Sequence, residues 1–152
     1  MVKDLIIQLF SNRLLITAVI SWAAAQIVKT GINAFLTKSF NPERLVGSGG
    51  MPSSHSAFVT GLATAAFIHM GPDSPEFAIC FVIAFVVMYD AMGVRRETGK
   101  QAELLNQFSE IFSKNYDEFQ TPEETLKVLV GHTPLQVFFG LLVGIIVGIL
   151  LR

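Results

Sequence analysis

The chain has 152 residues, 51% of them hydrophobic and only 15% charged, with a formal net charge of −1 and a mean hydropathy of +0.54. A soluble domain usually carries about 25% charged residues, so the composition places the chain among membrane proteins; scattered charges summing to nearly zero exclude a nucleic-acid partner. The single cysteine, Cys80, excludes an intrachain disulfide and reads as a packing residue.

In chain order, the first apolar stretch, residues 5–10, is too short for a signal-peptide core and lacks a small-residue cleavage site. It is expected to be retained, in the membrane interface or as the start of a bent first helix. Crossing the hydrocarbon core takes roughly 20 apolar residues, and candidate spans run over about residues 14–36, 54–70, 75–94 and 133–151. Backbone polar groups in lipid must be satisfied within a segment, so the spans are helices. The expected fold is all-α: one integral membrane domain over residues 1–152, a helical bundle with four spans. Between the third and fourth spans lies a polar region, residues 95–131. In it Leu104, Leu105, Phe108, Ile111, Phe112 and Phe119 recur at helical spacing among Glu103, Glu110, Lys114, Asp117 and Glu118. That pattern predicts an amphipathic helix, packed on the bundle, lying in the interface or serving as a lid for lipid access.

Four spans put both termini and the turn at residues 71–74 on one side. The loop at residues 38–53 and the long polar region fall on the other. Lys3, Arg13 and Arg152 lie on the first side, against Lys38, Arg44, Arg95, Arg96, Lys100, Lys114 and Lys127 on the second. The positive-inside rule makes the second side cytoplasmic, in a bacterial or organellar inner membrane. Four short spans close a bundle thinly, which leaves room for a homodimer.

The unusual polar residues gather at that second face. Gln26, Lys29 and Asn33 form one stripe near the end of the first span, where an ionisable residue either snorkels or faces the bundle interior as a functional group. Residues 47–57, GSGGMPSSHSA, lead into the second span. Glycines turn backbone N–H groups toward an anion, Ser53 and Ser54 can cap a helix whose N-terminus favours phosphate, and His55 stands at its mouth. Ser56, Thr60 and Thr64, four apart, read as helix-packing residues. The third span ends with Asp90, and Arg95 and Arg96 follow, either as a topogenic pair or as forked groups that grip phosphate oxygens. His132 opens the fourth span, with Gln136 one turn later. Histidine suits phosphoryl transfer because neutral imidazole is nucleophilic near pH 7 and its protonated form donates to a leaving oxygen. Two histidines can divide these tasks while the cations offset phosphate charge, and that logic calls for no metal and no cofactor.

Gln26 with Lys29, SGGMPSSHSA (residues 48–57), YDAMGVRRETGKQAELLN (residues 89–106) and GHTPLQV (residues 131–137) together resemble the divergent phosphatidic acid phosphatase type 2 family. That family is related to lipid phosphatases and vanadium-dependent haloperoxidases. The resemblance implies that His55, in a Pro-Ser-Ser-His version of a Pro-Ser-Gly-His segment, is the general acid and that His132 is the nucleophile. Gln136 stands where the wider superfamily has an orienting aspartate, and Leu126 where it has an arginine. Asp90 is the expected substitute for the aspartate, Arg95 or Arg96 for the arginine. Lys29 fits the branch better than Lys38, which precedes Arg44 at imperfect spacing without a following proline. Lys29, Ser53, Ser54, Arg95 and Arg96 are the expected phosphate ligands; Gln136, Gln26 and Gln101 are secondary candidates. The implied activity is hydrolysis of a membrane lipid phosphate: phosphatidylglycerol phosphate, phosphatidic acid or a polyprenyl phosphate or pyrophosphate. A non-catalytic lipid-phosphate-binding or lipid-translocating protein is the second reading, and a haloperoxidase a distant third.

Overall fold

A computed structural model describes residues 1–39, 49–115, 126 and 131–152. They form six helices and no strand: α1 (Val2–Ser11), α2 (Arg13–Thr37), α3 (Ser54–Met70), α4 (Pro75–Met92), α5 (Val94–Asn115) and α6 (Pro134–Leu150). Each expected span coincides with one of these helices to within two residues at either end, and local chemistry sets the ends. Asn12 takes an extended conformation that separates α1 from α2, and its side chain accepts from the backbone N of Leu14 and Leu15. Ser53 caps α3, and Ser74 caps α4 ahead of Pro75. A reciprocal Thr133–Gln136 capping box starts α6.

Most of the buried residues between the helices are small. Ala18, Ala25, Ala57, Ala63, Ala65, Ala66 and Ala84 are buried together with Ser21, Ser56 and Thr60, while Ile79, Val82, Val86 and Phe138 face outward. A soluble bundle buries its large apolar side chains; helices in lipid instead associate through small residues that let backbones approach. Gly140, Gly144 and Gly148 make such a stripe on α6. A Cβ at these positions would meet Ser53 O, then Thr60 and Ala57, then Thr64. The rising numbers on both helices show that α6 runs parallel to α3. Gly61 of α3 lies against Ser21 and Thr17 of α2, while Lys29 reaches Ser54, so α2 is antiparallel to α3. Ala84 packs with Val59 and Ala63, and the Phe77 and Phe67 rings meet at 5.3 Å, so α4 is antiparallel as well. Ser56, Thr60 and Thr64 serve packing, as expected. Thr60 and Thr64 donate to carbonyls one turn back, at 2.7 Å each, and Ser56 Oγ donates to Ser53 Oγ. Cys80 packs against the Val59, Ala63 and Ala84 cluster.

Among the described residues, α2 and the helix that begins at Pro75 are long and apolar enough to cross a membrane. α6 is apolar but has 17 residues, as does α3, about 25 Å of helix against a hydrocarbon core of about 30 Å. The expectation of four spans is therefore met by length in two. The amphipathic helix appears as α5, which buries only Gly99 and Ala102 and leaves Leu104, Leu105, Phe108, Ile111 and Phe112 exposed. Its polar side carries the ion pairs Lys100–Glu97 and Lys114–Glu110, each 2.6 Å. Phe119, Asp117 and Glu118 lie outside the described residues. So do Arg44, Gly47 and Ser48. The alternating helix directions bring the end of α2, the start of α3, the end of α4 and the start of α6 to one end of the bundle.

Candidate active site

Three helix termini build the centre of that end. α3 begins at Ser54 and places His55 in its first turn. His132 stands just ahead of α6, and its backbone N donates to Ala91 O of α4 at 3.0 Å. Ser53 N donates to Gln136 O at 3.0 Å and ties the starts of α3 and α6 together. The two imidazole rings face each other with centroids 6.5 Å apart, tilted by 58°. His132 is buried, whereas His55 is exposed. Gly131 is required here because a Cβ would run into the Arg95–Arg96 backbone, so the approach to His132 lies directly on the start of α5.

Cations surround the pair. Lys29 is 3% exposed, and its Nζ donates to Ser54 Oγ at 3.3 Å. Its aliphatic stem lies beside Gly50, whose φ of 85° suits a glycine. Arg95 is held by Asp90 in an Nε–Oδ2 ion pair of 2.5 Å. α3 and α6 both point their N-termini, the positive ends of their helix dipoles, at the same place. Burial pushes the His132 imidazole below its ordinary value; the Gln136 hydrogen bond pulls it up, and the charges of Lys29, His55 and Arg95 push it further down. The result is a neutral ring at pH 7.

Gln136 also fixes which nitrogen of that ring is bare. Its Oε1 lies 3.1 Å from His132 Nδ1 and accepts from Thr133 N at 3.1 Å. Because Thr133 N is a donor, the atom facing it is the amide oxygen, so Nδ1 carries the hydrogen and Nε2 keeps its lone pair.

The structure thus brings together Lys29, Ser54, His55, Arg95, His132 and Gln136. Asp90, expected to orient His132, pairs instead with Arg95, and the position beside Nδ1 belongs to Gln136. The physical reason lies in reach. Asp90 and Arg95 flank the break at Gly93 and face each other across it, whereas Gln136 sits one turn from His132. Ser53 is fully buried, and its hydroxyl is committed to the helix cap, where it accepts from Ser56 N and Oγ. Arg96 is exposed and contributes its backbone as the surface under Gly131. Gln26 is buried one turn from Lys29, with its Oε1 unpartnered among the described residues. Gln101 is exposed on α5, and Leu126 is exposed and hydrogen-bonded through its backbone to Asn106. Among the described residues, no three of His, Cys, Asp and Glu gather as a metal-ligand set. His69, the third histidine, lies in the last turn of α3 at the opposite end.

The chain is 35% identical over 152 residues to the "uncharacterized membrane protein YuiD" of Bacillus subtilis (strain 168), an alignment covering 95% of this chain and 96% of that relative. No solved structure matches the chain. The sequence pattern described as the divergent PAP2 family matches residues 10–147, which include every residue of the site. The chain belongs to the divergent PAP2 family.

Proposed function

We propose that this protein is a membrane lipid phosphatase that passes a phosphoryl group first to His132 and then to water. The observation that carries this reading is the facing pair of imidazoles from two helices, 6.5 Å apart, with the buried Lys29 at the same helix mouth. In the first step the Nε2 lone pair of His132 attacks phosphorus. The bond to the lipid oxygen breaks, and protonated His55 gives that oxygen its proton. In the second step neutral His55 takes a proton from water as the water oxygen attacks the phosphohistidine. Inorganic phosphate leaves, and both histidines return to their starting states. Lys29, Arg95 and the N-termini of α3 and α6 offset the charge of the phosphoryl oxygens. Ser54 and the exposed Arg96 line the approach, Gln136 holds the His132 tautomer, and Asp90 holds Arg95.

The small-residue core and large apolar exterior support four spans, α2, α3, α4 and α6, in one integral domain. The site then lies at one membrane face, at the depth of lipid headgroup phosphates. The excess of basic residues on that side supports the cytoplasmic face of a bacterial or organellar inner membrane. The substrate class is a lipid phosphomonoester or pyrophosphate, such as phosphatidylglycerol phosphate, phosphatidic acid or a polyprenyl phosphate. Purified protein in detergent with EDTA is expected to release inorganic phosphate from at least one of these, with competitive inhibition by vanadate. Activity lost in EDTA and restored by Mg²⁺ or Zn²⁺ would overturn the metal-independent mechanism. A second reading, a lipid-phosphate-binding protein without turnover, is favoured by one observation: the partner of His132 is the neutral Gln136, which cannot stabilise an imidazolium as a carboxylate does. Binding of these lipids with no phosphate release would support that reading.

A further inference from the structure

Between α4 and α6, with α3 as its floor, runs an open apolar groove of about 400 Å³. The His132 N to Ala91 O hydrogen bond joins the two helices at the site end. Beyond it Phe81, Phe85 and Met88 of α4 face Leu141, Ile145 and Ile149 of α6. The polar side-chain atoms of the floor are the hydroxyls of Thr60 and Thr64. Both donate at 2.7 Å to carbonyls of their own helix, so neither has a proton left for a ligand. The groove therefore offers no donor to a phosphate, and its otherwise apolar lining suits hydrocarbon.

We infer that this groove holds one hydrocarbon chain of the same lipid whose phosphate lies between His55 and His132, an inference that rests on the proposed function. Depth is the first argument. Thr60 follows His55 by five residues, about 7 Å along α3, and Met88 precedes Ala91 by one turn. The near end of the groove thus starts one to two turns below the histidines, where the tail of a lipid follows its phosphate. Size is the second argument. From Leu141 to Ile149 the groove is about 12 Å long. A single flexible chain fits that length, and a helix from a second copy is the competing occupant that the crosslinking outcome below separates from it. Because the bond between His132 and Ala91 roofs the groove, the chain enters sideways between α4 and α6 from the bilayer.

The test uses two photoreactive probes with identical diazirine-bearing tails, a lipid phosphate and the matching uncharged alcohol, incorporated with the protein into phosphatidylcholine nanodiscs. The expected result is labelling of Phe85, Met88, Leu141 and Ile145 by the phosphate probe, competed by unlabelled long-chain lipid phosphate and reduced at least fivefold in Lys29→Met. Equal labelling of these residues by the alcohol, or labelling concentrated on the outward Ile79, Val82 and Val86 of α4, would reduce the groove to ordinary lipid contact and overturn the inference. Crosslinks between two copies across the groove would overturn it in favour of a dimer interface. A second readout uses Ile145→Trp, which fills the groove. The ratio of kcat/KM for long-chain over short-chain lipid phosphates should fall at least tenfold, and an unchanged ratio contradicts the inference. Should wild-type protein hydrolyse nothing, the proposed function fails while the labelling pattern still decides the groove.

Discussion

Replacing Gln136 by glutamate changes one physical quantity at the site and leaves the geometry intact. The side chain keeps its length, both hydrogen bonds to its Oε1 and the capping box, and a carboxylate is favourable at a helix N-terminus. His132, however, exchanges a neutral amide for a negative charge at hydrogen-bond distance, 3.1 Å from Nδ1. Unit charges centred about 4 Å apart at an effective dielectric of about 20 interact by about 4 kcal/mol. At 1.36 kcal/mol per unit that is at most about three pKa units, and partial solvation of the carboxylate leaves about one to two. In the wild type His132 titrates below the ordinary value of 6.5, chiefly because it is buried. It attacks as the neutral ring, so protonation removes the nucleophile, and the acid limb of kcat/KM should fall below pH 6.5. Gln136→Glu should move that limb upward by about one to two pH units and raise turnover on the alkaline plateau, because the cationic phosphohistidine gains a counter-charge. Phosphate release from a lipid phosphate, measured across the pH range, reads both effects. A limb that stays put or moves down would show that protonation of His132 does not gate the reaction.

Other outcomes follow from the same geometry. Asp90→Asn removes an ion pair whose partners are 35% and 48% exposed, worth about 1 kcal/mol or less, so turnover should fall by less than about tenfold and Gln136→Ala should cost more. A loss near 10⁴-fold, as on neutralising a triad aspartate, would return the orienting role to Asp90. Gly144→Leu drives a side chain into Thr60, Ala57 and Gly61 and should lower thermal stability in detergent by about 1–3 kcal/mol or more. Gly31→Ala, with nothing within 4 Å of its new Cβ, should be neutral or stabilising by up to about 1 kcal/mol; equal losses at both would contradict the packing of α6 on α3. With Cys80 replaced by alanine, Gln101→Cys and Asp73→Cys should react with a membrane-impermeant thiol reagent from opposite sides. Labelling from the same side would break the four-span map.

The helices were legible because their ends are written in local chemistry. Ser53 and the turn at Gly71 bound the second expected span at the same residues as α3, and Gly93 stops α4 within two residues of the expected end. The break between α1 and α2 was ambiguous, since it depends on Asn12 turning its side chain back onto Leu14 and Leu15, which apolar periodicity does not register. The stripe of Gly140, Gly144 and Gly148 was present as glycine at every fourth residue and passed unread among the apolar residues of α6. At the site, Lys29, His55 and His132 were visible as polar residues out of place near span ends. Asp90 was preferred as the group orienting His132 because it carries a charge, whereas the side chain that lies beside Nδ1 is Gln136. The Thr-x-x-Gln pattern of a capping box, Thr133 to Gln136, was readable and turns the glutamine back toward the helix start, where His132 stands. The pairing of Asp90 with Arg95 depends on how the chain turns at Gly93, and no sequence spacing encodes that turn.

The central claim is that phosphate passes through His132. The direct measurement is to quench a ³²P-labelled lipid phosphate with the protein in alkali during steady-state turnover and map the acid-labile label by peptide mass spectrometry. The account expects label on His132, absent in His132→Ala, and accumulating more slowly in His55→Ala for substrates with poor leaving groups. Label on His55, or turnover with no phosphohistidine at any time, would contradict it.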